Sequence, residues 1–161
     1  MIRFKQEKLE QEFNRIDPRL RAVVFGMEFL IEKEFGKEIM ITSIERTQEE
    51  QNEIYKDQIE KGYFVTVDGV KFYSCDKLKP TLSLHQLKPT RAIDLRSQLY
   101  THEEILKIKE YIDYWFPYDN KSSLIFHNKS GEHLHLQIGT HRMPVIPAPA
   151  FAGTGSAGIQ S

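Results

Sequence analysis

Thiols are almost missing from this chain: Cys75 is its single cysteine in 161 residues. One thiol excludes an internal disulfide framework and a zinc site built from cysteines. Nothing around Cys75 supplies a base, so it reads as a structural or incidental residue rather than a nucleophile. Excess charge is missing too. A net charge of -1 gives no electrostatic case for binding nucleic acid or an anionic membrane surface. No apolar run is long enough to span a bilayer. The charged start, Met1-Ile2-Arg3-Phe4-Lys5-Gln6-Glu7-Lys8, is not a secretory signal. The chain is therefore expected to be made in the cytoplasm, and to need some other agent to release it if it works outside. Also absent are an H-E-x-x-H helix, a G-x-S-x-G elbow and a glycine-rich phosphate loop.

Hydrophobic residues make up 40% and charged residues 28%, ordinary proportions for a globular protein. The length is enough for one domain with a real core. That domain is expected over residues 1–142. From Met143 to Ser161 no residue is charged and Pro, Ala, Gly and Ser predominate, the composition of a flexible tail.

Within the domain, Phe4 to Phe13 reads as a short charged helix. Asp17-Pro18 opens a better one, since aspartate caps and proline suits the first turn. Leu20, Val23, Val24, Met27, Leu30, Ile31 and Phe35 give it one apolar face, and Gly36 ends it. Residues 38–44 predict a buried strand. Thr47-Gln48-Glu49-Glu50 is a capping box starting a helix to about Lys61, with Gln51, Ile54, Tyr55 and Gln58 inward. Residues 65–72 form a hairpin signal around Asp68-Gly69, and residues 74–91 predict a loop. A short strand follows at 92–95. Thr101-His102-Glu103-Glu104 caps a helix lined by Ile105, Ile108, Ile112 and Trp115 and stopped by Pro117. Two strands, 123–127 and 132–138, close the domain around a turn at 128–131.

The last of these strands carries the chemistry. His133 and His135 alternate with Leu134, Leu136 and Ile138, so both imidazoles share one face. With His85 at the end of the loop and Asp94 on a strand, His135 completes a His-Asp-His set. Three protein ligands leave a fourth tetrahedral position for water, as in a catalytic zinc site. Glu132 or His133 is then the unligated base that takes the water's proton, once Zn2+ has lowered its pKa to ~7. Strand alternation favours His133.

These motifs carry a resemblance. Ser43-Ile44-Glu45-Arg46-Thr47 with Gln51 and Tyr55, then Ser83-x-His85 with Ala92-x-Asp94-Leu95, then Glu132-x-x-His135 resemble the zinc D-alanyl-D-alanine carboxypeptidase family. That family includes D-alanyl-D-alanine dipeptidases and phage L-alanyl-D-glutamate endopeptidases, and the Hedgehog signalling domain shares its fold. The match runs from about Ile39 to Ile138. The resemblance implies that His85, Asp94 and His135 are the zinc ligands. It implies that Glu132 is the base of an E-x-x-H pattern, or that His133 is the first histidine of an H-x-H pattern. It also implies that Arg46 holds the substrate carbonyl and the developing oxyanion, a role that suits a fixed guanidinium. The stretch from His85 to Asp94 is two residues longer than in the family, with Lys88-Pro89-Thr90-Arg91 replacing a glycine-containing turn.

Plainer roles stand beside these. Arg46 could pair with Glu49 or Glu50, Gln51 and Tyr55 could be structural, and His127 could pack, stand behind the metal ligands or bind substrate. His102 reads as solvated, and His141 carries no role.

The expectation is an α+β fold, with helices packed on a small, mainly antiparallel sheet that carries the zinc. The expected activity is hydrolysis of a peptide bond in bacterial peptidoglycan stem peptides, by a phage-type lysin or a cell-wall carboxypeptidase or endopeptidase. Its partner is the peptidoglycan peptide, with no nucleic acid and no membrane span. The wall would be reached after release or from a virion. Alternatives are a zinc-containing, catalytically silent binding module or a virion structural protein of the same fold.

Overall fold

The computed structural model describes residues 1–117, 123–128 and 131–139. The uncharged segment 143–161, His141, and Lys129 and Ser130 of the expected turn lie outside these residues.

The amino terminus differs from expectation. Strand β1 (Ile2–Phe4) precedes helix α1 (Lys8–Phe13), which is shorter than the helix expected from Phe4. The reason is period-two alternation: Ile2 and Phe4 pack against the core, while Arg3 reaches Glu38 at 2.6 Å. Helix α2 (Pro18–Phe35) follows the expected signals closely. Asp17 accepts the Arg19 N–H at 2.9 Å, and Gly36 closes the helix at φ 62°, where glycine avoids the Cβ strain of a left-handed residue.

Strand β2 (Ile39–Ser43) leads to α3 (Gln48–Ile54), α4 (Lys56–Glu60) and the hairpin of β3 (Phe64–Val67) and β4 (Val70–Tyr73). The helix expected to run from Thr47 to about Lys61 is broken at Tyr55, whose backbone leaves the helical region at φ -103° and ψ 20°. Its ring stacks on Tyr73 at 4.1 Å, and Asn52 donates to the Lys71 carbonyl at 2.7 Å. Docking the hairpin therefore accompanies the break. Strand β5 (Ala92–Arg96), helix α5 (His102–Trp115), β6 (Leu124–His127) and β7 (His133–Gln137) complete the order. Both threonine capping boxes form. Trp115 departs from its expected inward place and is exposed, because α5 ends there. Phe116 turns inward instead, and its ring comes so near α2 that a Cβ on Gly26 would stand 3.2 Å from it.

The main sheet has the order β1-β2-β5-β7-β6. Its β1–β2 pair is parallel and the others antiparallel. The fold is α+β with a mixed sheet. Ile39, Ile41, Ile93, Leu95, Leu124, Leu134 and Leu136 join Leu20, Val23, Val24, Met27 and Ile31 of α2 and Ile108 and Ile112 of α5 in one core. Each such side chain contributes roughly 1.5–3 kcal/mol by leaving water. This burial fixes the register of β7: a one-residue slip would drive its histidines into the core. Among the described residues no helix is long and apolar enough to cross a membrane.

Candidate metal centre

Three segments separated in sequence meet on the sheet face away from the α2–α5 core. Alternation along β7 buries Leu134 and Leu136 and leaves His133, His135 and Gln137 half-buried on the other side. The ladder sets Asp94 of β5 directly opposite His135. On its other side Asp94 pairs with Ser43, across an irregularity in β2 after Ile41, and Thr42 Oγ1 donates to the Asp94 carbonyl at 3.1 Å. A bulge of this sort commonly re-aims side chains beside a site.

His85 arrives from the loop on a 3-10 turn, Leu84–Gln86. Ser83 caps that turn. Its hydroxyl accepts the His85 N–H at 3.2 Å, and its own N–H donates to Gln86 Oε1 at 2.9 Å. The Arg46 N–H donates to the His85 carbonyl at 3.2 Å and the Arg91 N–H to that of Leu84 at 3.1 Å. The serine before the histidine thus has a structural task.

His85 Nε2 lies 3.3 Å from Asp94 Oδ1 and 3.3 Å from His135 Nδ1, and His135 Nδ1 lies 2.9 Å from Asp94 Oδ1. A tetrahedral zinc ion with bonds of ~2.0–2.1 Å separates its ligands by roughly 3.3 Å; two sides of the triangle match this, and the third, at 2.9 Å, is shorter. His85, Asp94 and His135 could hold a metal ion.

The protons sharpen this. His85 Nδ1 stands 2.6 Å from the Ile44 carbonyl, which only accepts, so Nδ1 carries the hydrogen and Nε2 the lone pair. His135 stands between two acceptors, Gln137 Oε1 at 3.1 Å from Nε2 and Asp94 Oδ1 at 2.9 Å from Nδ1; in the tautomer that donates to Gln137, Nδ1 carries the lone pair. Two neutral imidazoles and a carboxylate then face one another with lone pairs only. Such a set calls for a positive charge at its centre, and outer hydrogen bonds of this kind orient metal-binding histidines. Where the rings carry protons towards Asp94 instead, burial opposes ionisation of its carboxyl, but hydrogen bonds and charge from His135 and His85 outweigh it and hold it well below the usual carboxylate range.

The remaining candidates fall into place unequally. Arg46 reaches Gln51 Oε1 at 3.2 Å and Asp94 Oδ2 at 3.4 Å, and not Glu49 or Glu50, so its guanidinium is fixed at the cluster's edge. Gln51, buried, is the support for that arginine. His133 donates from Nδ1 to the Gly131 carbonyl at 2.8 Å, leaving its Nε2 lone pair 3.8 Å from Asp94 Oδ1. Glu132 precedes the strand and is exposed, and among the described residues its side chain has no hydrogen bond or ion pair. His127 sits across from His133, the rings 5.1 Å apart, and its pKa is lowered, first by burial and then by the charges of His135 and His133.

Gln137 and the Ile44 carbonyl are the parts of the site that sequence reasoning missed. Gln137 was accessible, since it continues the alternation of His133 and His135 by one step. The Ile44 carbonyl was not, because a backbone acceptor leaves no trace in residue identity. No family model matches the chain, and no curated protein or solved structure matches it either.

Proposed function

We propose that the chain is a zinc-dependent peptidase hydrolysing a peptide bond in bacterial peptidoglycan stem peptides, of the D-alanyl-D-alanine carboxypeptidase kind. The observation that carries this reading is the convergence of three candidate ligand atoms, on His85, Asp94 and His135, with Arg46 fixed beside them. A bound zinc ion supplies Lewis acidity and lowers the pKa of water to ~7.

The chain's own residues do the rest. Asp94 and the two imidazoles supply one negative charge and two neutral ligands, which leaves a net positive site for a carbonyl oxygen. Arg46, held by Gln51, presents N–H donors where negative charge grows on that oxygen as the carbonyl carbon becomes tetrahedral. His133, its Nδ1–H tied to Gly131, offers Nε2 as proton acceptor on the metal side and afterwards returns the proton to the leaving amine. The enzyme would reach the wall after release or as part of a virion. Metal analysis together with mass spectrometry of digested peptidoglycan tests the reading. Bound zinc and a newly exposed peptide end are expected, with cleavage lost in His135→Ala; intact wall peptides from a zinc-loaded protein would refute it.

A further inference from the structure

Arg96 stands on the same sheet face as the metal cluster. It follows Asp94 by two residues along β5, which returns its side chain to that face about 7 Å further along the strand. Across the ladder it is opposite His133. Its surroundings distinguish it from the arginines with structural partners. Arg3, Arg15, Arg19, Arg46 and Arg91 each stand against a carboxylate. Arg96 is half-buried, and among the described residues its side chain has no hydrogen bond, ion pair or ring contact. Its guanidinium is permanently charged and carries five N–H donors. The carboxylate nearest along its strand, Asp94, is already engaged by His85, His135 and Arg46.

We infer that Arg96 binds a carboxylate of the substrate at the His133 end of the metal centre. The planar fork of a guanidinium matches a carboxylate in two parallel hydrogen bonds. Its position beyond Asp94 selects peptides whose free carboxylate lies about one or two residues from the scissile bond. That carboxylate belongs either to an acidic side chain or to the peptide's C-terminus, and both offer the same chemistry to Arg96. The peptide nature of the ligand rests on the function proposed above, whereas the carboxylate site does not.

Two measurements on the full zinc-loaded chain test this. The first compares kcat and KM for wild type, Arg96→Gln and Arg96→Lys. The substrates are wall peptides with side-chain carboxylates free or amidated, and with C-termini free or amidated. A charged hydrogen-bonded contact is worth about 10- to 100-fold. Arg96→Gln therefore raises KM by that factor on the recognised peptide, with kcat little altered, and Arg96→Lys recovers part of the loss. The amidation that abolishes the difference between wild type and Arg96→Gln identifies the source of the carboxylate. The second measurement is an NMR titration with glutarate that follows the arginine Nε–H signals, and it needs no cleavage. A shift in wild type that is absent from Arg96→Gln supports the inference even where wall peptides stay intact. Equal glutarate binding by the two proteins overturns it, as does an equal preference for free carboxylates in both.

Discussion

Asp94 and His135 face each other across the β5–β7 ladder, with Oδ1 of one 2.9 Å from Nδ1 of the other. Antiparallel register produces this pairing from residues far apart in sequence. His85 then needs only a capped 3-10 turn to bring a third lone pair to the same point. The behaviour of the site follows from which hydrogen bonds hold each ring.

Gln137 is expected to control metal affinity without touching the metal. Gln137→Leu removes the acceptor for His135 Nε2–H and frees the ring to change tautomer. Zinc affinity should fall by about 10- to 100-fold, measured by competition with a chelator, and Gln137→Glu should keep most of it. An unchanged affinity in Gln137→Leu would show that the hydrogen bond has no orienting role.

His133 and Glu132 are separable by turnover. His133→Gln should lower kcat by about 10²- to 10⁴-fold with zinc content retained, a larger loss than in Glu132→Gln. A larger loss on Glu132→Gln would transfer the base to the residue before the strand.

Arg46→Lys keeps the charge but loses the fork held by Gln51 and Asp94. Its kcat should drop by about 10²- to 10³-fold, the scale of removing one oxyanion donor, while zinc stays bound. Near-normal turnover in that variant would remove Arg46 from the mechanism.

Stability should depend on pH through Asp17. Its hydrogen bond to Arg19 lowers its pKa; burial opposes this, and the charges of Arg19 and Arg91 add to the lowering. A carboxyl depressed in the folded state stabilises above its unfolded pKa of ~3.9, and that stabilisation is lost as pH falls through the folded value. Asp17→Asn retains a capping oxygen but no charge. It should cost about 1 kcal/mol in urea unfolding at neutral pH, with the gap to wild type closing as pH falls below the unfolded pKa and through the depressed folded one. A gap independent of pH would assign the effect to capping alone.

Much of this was legible in the residues. Alternation in Glu132–Ile138, the caps at Asp17, Thr47 and Thr101, and the Asp68-Gly69 turn are local signals, and each element formed where its signal stood. Two features were hidden for a physical reason. Strand β1 exists only because β2 offers it a parallel edge, a long-range pairing that three residues cannot announce. The break at Tyr55 accompanies stacking on Tyr73 from the hairpin, a tertiary contact that overrides the helical pattern. In the site, His85, Asp94 and His135 were readable as a set, but the proton positions that make them lone-pair donors depend on Ile44 and Gln137.

The claim on which the rest depends is that His85, Asp94 and His135 form a metal site. The direct measurement is zinc bound per chain, by calorimetric titration after chelator treatment, for wild type and for His85→Ala, Asp94→Ala, His135→Ala and His127→Ala. The account predicts a single zinc ion on wild type and on His127→Ala, and its loss from each of the other three. Undiminished binding without His135, or no binding to the folded wild-type chain, would contradict it.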